Sequence, residues 1–104
     1  FLSLHFNSFS SGKAQGSKTF YYKAKDKKLA LHIQKQMERD LSIRNNGVKR
    51  SRFFVLRHTR MPATLVEPLF LSNAREKKLL KTPEFRAKLA LSIAQGVKNY
   101  YKDT

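Results

Sequence analysis

The sequence predicts an α/β domain: a central, mostly parallel sheet with helices on its faces, truncated at the N-terminus. Three observations carry this expectation. Short runs rich in aromatic and β-branched residues alternate with longer segments of helical periodicity. Two of those segments place apolar residues at every fourth position, Leu29-Ile33-Met37-Leu41 and Phe85-Leu89-Ile93-Val97, which gives each helix one apolar stripe. Strands interleaved with amphipathic helices bury their faces most economically as a sheet covered by helices.

Taken in order, Phe1 to Phe6 alternates Phe and Leu with Ser and His and reads as a strand. Asn7 to Ser17 is rich in Ser and Gly and reads as a loop. Lys18 to Lys23 (KTFYYK) is a second short strand. Asp26 is a candidate cap for a helix running to about Leu41. Asn45-Asn46-Gly47 is a turn signal, followed by a basic cluster. Phe53 to Leu56 (FFVL) reads as a third strand and Ala63 to Glu67 (ATLVE) as a fourth, joined by a polar connection ending at Pro62. Asn73 caps a short helix, with Glu76 at the capping-box position. Thr82-Pro83-Glu84 supplies a capping hydroxyl, a proline at the first helical position and an acid in the first turn, so the last helix starts there and ends near Tyr101.

The chain has 104 residues, one small domain, and is 40% hydrophobic and 12% aromatic, a globular rather than a disordered composition. It has no Cys, which excludes disulfides, thiolate zinc sites and thiol catalysis. No apolar run approaches the roughly 20 residues of a membrane helix, so no membrane span is expected. The first residue is Phe1, inside an apolar alternation without the basic and long apolar regions of a secretory signal. Upstream sequence is therefore expected. The net charge is +15, from 22 Lys and Arg against 7 Asp and Glu, which favours anionic partners: nucleic acid, anionic lipid or anionic wall polymer.

Two residues draw attention on chemistry alone. His5 stands near the carboxyl end of the first strand, where α/β sheets place their sites. The plain alternative is an ordinary half-exposed strand residue. Glu67 ends the apolar run Ala63-Thr64-Leu65-Val66, and a carboxylate there is costly unless it is paired, hydrogen-bonded or placed at an open site. The plain alternative is an ion pair with Arg57 or Arg60. His32 lies within a charged helix and reads as solvated.

Three segments, SLHFNS (Ser3 to Ser8), VLRHTRMPATLVEPLFLSN (Val55 to Asn73) and the closing TPEFRAKLALSIAQGVKNYY, together resemble one family. In this order they resemble the zinc-dependent N-acetylmuramoyl-L-alanine amidases often called amidase type 3, across nearly the whole chain. The resemblance implies that residues 1–104 are part of an amidase catalytic domain. It implies a zinc held by two His and one Glu, with His5 as the last ligand in sequence order and the other two upstream, and Glu67 as the catalytic carboxylate. Asn7 and, more weakly, His58 are the substrate-side candidates. The implied reaction is hydrolysis of the amide between N-acetylmuramic acid and L-alanine in peptidoglycan. The implied setting is a monomer at the cell wall, extracellular or periplasmic, with anionic wall polymers as further partners. Leu69 departs from the family pattern, which more often has Gly there, and Pro68 is a less usual choice. Asn46 stands where the family commonly has Arg. Two alternatives stay open: a basic nucleic-acid-binding module, motivated by the charge and KTFYYK, and a catalytically inactive wall-binding homologue. The nucleic-acid module requires basic residues in one stripe with exposed Phe20 and Tyr22.

Overall fold

A computed structural model describes residues 1–103. Its elements are β1 (Leu2–Leu4), β2 (Ser17–Tyr21), α1 (Lys27–Asp40), β3 (Asn45–Arg50), α2 (Phe54–Arg57), β4 (Thr64–Glu67), α3 (Ala74–Leu80) and α4 (Pro83–Lys102). The four strands form one sheet in the order β1-β4-β2-β3. β1 pairs parallel with β4 and β2 parallel with β3, while β2 and β4 run antiparallel. The expected mostly parallel α/β architecture is the one found.

Pairing register sorts the side chains between the two faces. Leu4 is level with Val66, and Val66 with Thr19. That face packs against α1 and α4, where Val66 and Leu69 meet Leu29, Ile33, Met37, Phe85, Leu89 and Ile93 in the main core. The two predicted apolar stripes supply most of it. Ser3 is level with Leu65, and Leu65 with Phe20, on the opposite face. There Leu56, Ala63 and Leu65 form a smaller core, joined by Phe20 and Tyr22.

Several local expectations need correction. Phe53 to Leu56 is not a strand: Phe53 precedes a single helical turn closed by Arg57 N–H to the Phe53 carbonyl at 3.1 Å. The chain must reverse between β3 and β4, and one helical turn drops Leu56 into the smaller core while doing so. Aromatic and β-branched propensity loses to that context. Asn45-Asn46-Gly47 is not a turn but the start of β3. The glycine signal was sound, since Gly47 has φ +80°. It makes a bulge instead, shifting the β2/β3 register between the Ser17–Asn45 and Thr19–Val48 pairs. The strand expected from Phe1 to Phe6 is confined to Leu2–Leu4.

Two acids do other work than capping. Asp26 precedes α1 but does not cap it with its side chain. Its carboxylate is buried, accepts from Ala63 N–H at 3.1 Å and pairs with Lys23 at 3.2 Å, tying the start of α1 to the start of β4. Asn73 caps α3 as expected, accepting from Glu76 N–H at 3.0 Å. The Glu76 side chain, fully buried, instead accepts from Gly16 N–H at 2.8 Å and Phe70 N–H at 2.9 Å. It thereby fixes the loop entering β2 against the segment leaving β4.

Candidate functional site

Strand alternation projects His5, Glu67 and Lys18 from one face of the sheet. Lys18 is the direct cross-strand partner of Glu67. His5 follows β1, with its backbone N–H donating to the Val66 carbonyl at 3.0 Å, one residue before Glu67. The two sequence-predicted residues, sixty-two positions apart, thus meet at the carboxyl ends of neighbouring parallel strands. This is where α/β sheets open a crevice. The imidazole is exposed, with Nε2 2.9 Å from Ser3 Oγ.

Asn7 joins them. Its backbone extends the β1/β4 pairing, donating to the Leu69 carbonyl at 3.0 Å and accepting from Leu71 N–H at 2.7 Å. Ser8 N–H donates to Asn7 Oδ1 at 2.8 Å, which leaves the amide nitrogen to donate to Glu67 Oε1 at 3.1 Å. The Asn7 contact holds the carboxylate in one orientation.

Glu67 is half-buried, and burial pushes its pKa above the ordinary glutamate value of 4.5. The positive charges of His5 and Lys18 oppose that rise, in that order. The ion pair with Arg57 or Arg60 is not what holds Glu67: its side-chain partner is Asn7, and Arg57 approaches His58 instead, with Nη2 3.2 Å from Nε2. A carboxylate with one hydrogen-bond donor and a raised pKa at the carboxyl end of an interior strand suits proton transfer.

A cavity of about 70 Å³ lies beside Glu67, lined by Asn7, Lys18, Asn46 and Phe70 among others. Lys18, Asn46 and Phe70 were not singled out as site residues from the sequence. Lys18 comes from the antiparallel β2/β4 register and Asn46 from the bulge in β3, and neither pairing is visible in a linear pattern. His58 is placed elsewhere. It follows α2, before the amino end of β4, whereas Glu67 is at the carboxyl end of that strand. The departure at Leu69 turns inward: Leu69 is fully buried in the main core, away from the Glu67 face.

Phe20 and Tyr22 are half-buried against the smaller core, so the open aromatic stripe required of a nucleic-acid module is not presented. Among the described residues there is no group of three or more His, Cys, Asp or Glu side chains arranged to hold a metal ion. The exposed His5 imidazole lies on the sheet face beside Glu67.

Known proteins give the same picture. Residues 1–99 match the family of N-acetylmuramoyl-L-alanine amidases of type 3. The chain is 37% identical over 106 aligned residues to the N-acetylmuramoyl-L-alanine amidase LytC of Bacillus subtilis, covering 98% of this chain and 21% of that protein. It is 33% identical to the germination-specific N-acetylmuramoyl-L-alanine amidase of the same organism, over 99% of this chain and 45% of that one. The catalytic domain of CwlV, an amidase of Bacillus (Paenibacillus) polymyxa var. colistinus, superposes with a TM-score of 0.93 at 33% identity, covering 98% of this chain and 57% of that domain. The chain therefore spans between about a fifth and three-fifths of the length of these relatives. With the fold and nearly the whole sequence matching, the chain belongs to the N-acetylmuramoyl-L-alanine amidase family.

Proposed function

We propose that these residues form part of a peptidoglycan hydrolase that cleaves the amide between N-acetylmuramic acid and the L-alanine of the stem peptide, acting at the cell wall. The observation that carries this reading is the convergence of His5, Asn7 and Glu67 at the carboxyl ends of β1 and β4. In it, Glu67 is the proton-handling group. A raised pKa makes its carboxylate a stronger base than an ordinary glutamate, able to take a proton from the attacking water and return it to the leaving amine. Asn7 is a positioning residue that aims the carboxylate. His5, exposed beside it, is one ligand of a zinc ion. Zinc, when bound, supplies the Lewis acid that polarises the amide carbonyl and favours ionisation of water.

A catalytic zinc takes three protein ligands, and the described residues supply His5 without a complete set. The reading therefore assigns residues 1–104 to the carboxyl-terminal part of a catalytic domain, with the remaining ligands outside this stretch. The test uses the full-length protein. His5→Ala lowers bound zinc, measured by elemental analysis, and release of stem peptide from purified peptidoglycan falls with it. Unchanged zinc content in His5→Ala removes His5 from the ligand set. Wall binding without peptide release in the parent protein shows an inactive wall-binding homologue instead.

A further inference from the structure

The end of the sheet opposite Glu67 carries a second surface, away from the Glu67 site. From Leu41 to Val66 the chain has no Asp or Glu, yet carries Arg44, Lys49, Arg50, Arg52, Arg57 and Arg60. Within that stretch four apolar side chains face water: Phe54 at 70% exposure, Met61 at 52%, Phe53 at 39% and Val55 at 38%. Phe54 and Val55 lie on α2 and Phe53 just before it, its ring edge-on to that of Phe20 at 5.4 Å, and Met61 follows four residues after the helix; Leu56 is fully buried in the smaller core and pins the turn to the sheet. Arg52, Arg57 and Arg60 are exposed among them. The ring of Phe54 lies 4.3 Å from that of His58, tilted by 35°.

Charge and apolarity select different partners, and the patch has both. A phosphate-bearing wall polymer satisfies the guanidinium groups but offers no apolar phase for Phe54 and Met61. A bilayer of anionic lipid offers both, with phosphates at the level of the arginines and acyl chains beneath them. We infer that the α2 face, with Phe54 at its tip and Arg52, Arg57 and Arg60 around it, docks on the surface of an anionic membrane. The surface stands apart from the reaction and goes beyond the proposed activity. Its placement matters to it nonetheless. α2 leads to the amino end of β4 and Glu67 closes the other end, so a docked molecule turns its carboxylate away from the lipid. No described helix is long and apolar enough to cross a membrane, so the contact inferred is with the membrane surface.

The test is co-sedimentation of the full-length protein with vesicles of phosphatidylglycerol and phosphatidylcholine in equal parts, and with vesicles of phosphatidylcholine alone. The expected result is binding to the first and little to the second. Phe54→Ser lowers the partition coefficient about tenfold, the loss of one buried aromatic side chain. Arg57→Gln lowers it about fivefold, one juxtamembrane charge. Leu91→Ser removes a 72%-exposed apolar residue from α4, outside the patch, and leaves binding unchanged. Phe54→Trp gives a second readout: among these 104 residues it is the one Trp, and the emission it adds over the parent shifts to the blue on the anionic vesicles. The inference is overturned by equal binding to both vesicles, by Phe54→Ser binding like its parent, or by the absence of a blue shift. Equal competition by a soluble, lipid-free polyphosphate together with unaltered Phe54→Ser binding identifies charge-driven polymer docking instead.

Discussion

Glu67 is the residue at which stability and chemistry pull apart. Its folded pKa is raised above the ordinary 4.5, chiefly by burial, so the native state holds more protons than the unfolded chain between those two values. Stability falls as pH rises through that window, and above it the ionised carboxylate is a net cost. Glu67→Gln keeps the shape and an acceptor for Asn7 but removes the charge. In thermal melts the variant unfolds at or slightly above the parent temperature at pH 7, and the difference closes as pH drops below 4.5. In the full-length protein its zinc content stays at the parent level while stem-peptide release drops by roughly 10²–10⁴-fold, the usual loss for a proton-transferring group. A variant that melts lower at pH 7 and stays active shows Glu67 to be a structural partner. The raised pKa also places the acid limb of the pH–rate profile above that of an ordinary glutamate, and Lys18→Met moves it further up by removing an opposing positive charge.

The elements are locked at two places by single residues. α1 and α4 cross at Gly96, where an added Cβ lies 2.7 Å from the Ile33 Cα and 3.1 Å from the His32 carbonyl oxygen. Both obstacles are backbone, so the helices must move apart. Gly96→Ala is expected to destabilise by about 1–3 kcal/mol despite its better helix propensity, measured by denaturant unfolding. A neutral or stabilising result shows that the helix pair slides to accommodate a methyl group. Glu76 locks the other place. Its buried carboxyl group takes two backbone N–H groups, one before β2 and one after β4. Glu76→Ala leaves both donors unpaired and is expected to cost roughly 3 kcal/mol. Hydrogen exchange at Gly16 and Phe70 should accelerate ahead of the main core in that variant. Because those segments border the cavity beside Glu67, the same change loosens the site.

At the scale of the molecule, a net charge of +15 favours anionic partners, the cell wall of the proposed function among them. Attraction between exposed charges is screened over about 8 Å at physiological ionic strength. Pull-down of the folded chain with purified cell walls should therefore weaken steeply as sodium chloride rises. Retention that is indifferent to salt assigns wall binding to the site groove rather than to the charge. The α/β architecture, both long helices and the caps of α3 and α4 follow from the sequence, because each is written locally. The apolar stripes of α1 and α4 repeat at helical spacing, and Asn73 and Thr82-Pro83-Glu84 mark the starts of α3 and α4. His5 and Glu67 were legible for another reason: SLHFNS and the segment around Glu67 resemble a family, and a resemblance carries residues whose meeting no spacing could show. Other features belong to the tertiary structure alone. FFVL became a helical turn because β3 and β4 must be joined across one end of the sheet. Asn45-Asn46-Gly47 became a bulge because Ser17 and Thr19 were there to pair with. Glu76 abandoned the capping box for Gly16, sixty residues away. Lys18 stands opposite Glu67 only because β2 runs antiparallel to β4. A periodic pattern or a cap is settled by neighbours in the chain, but a strand's partner, its register and the destination of a buried carboxylate are settled by what the fold brings beside them.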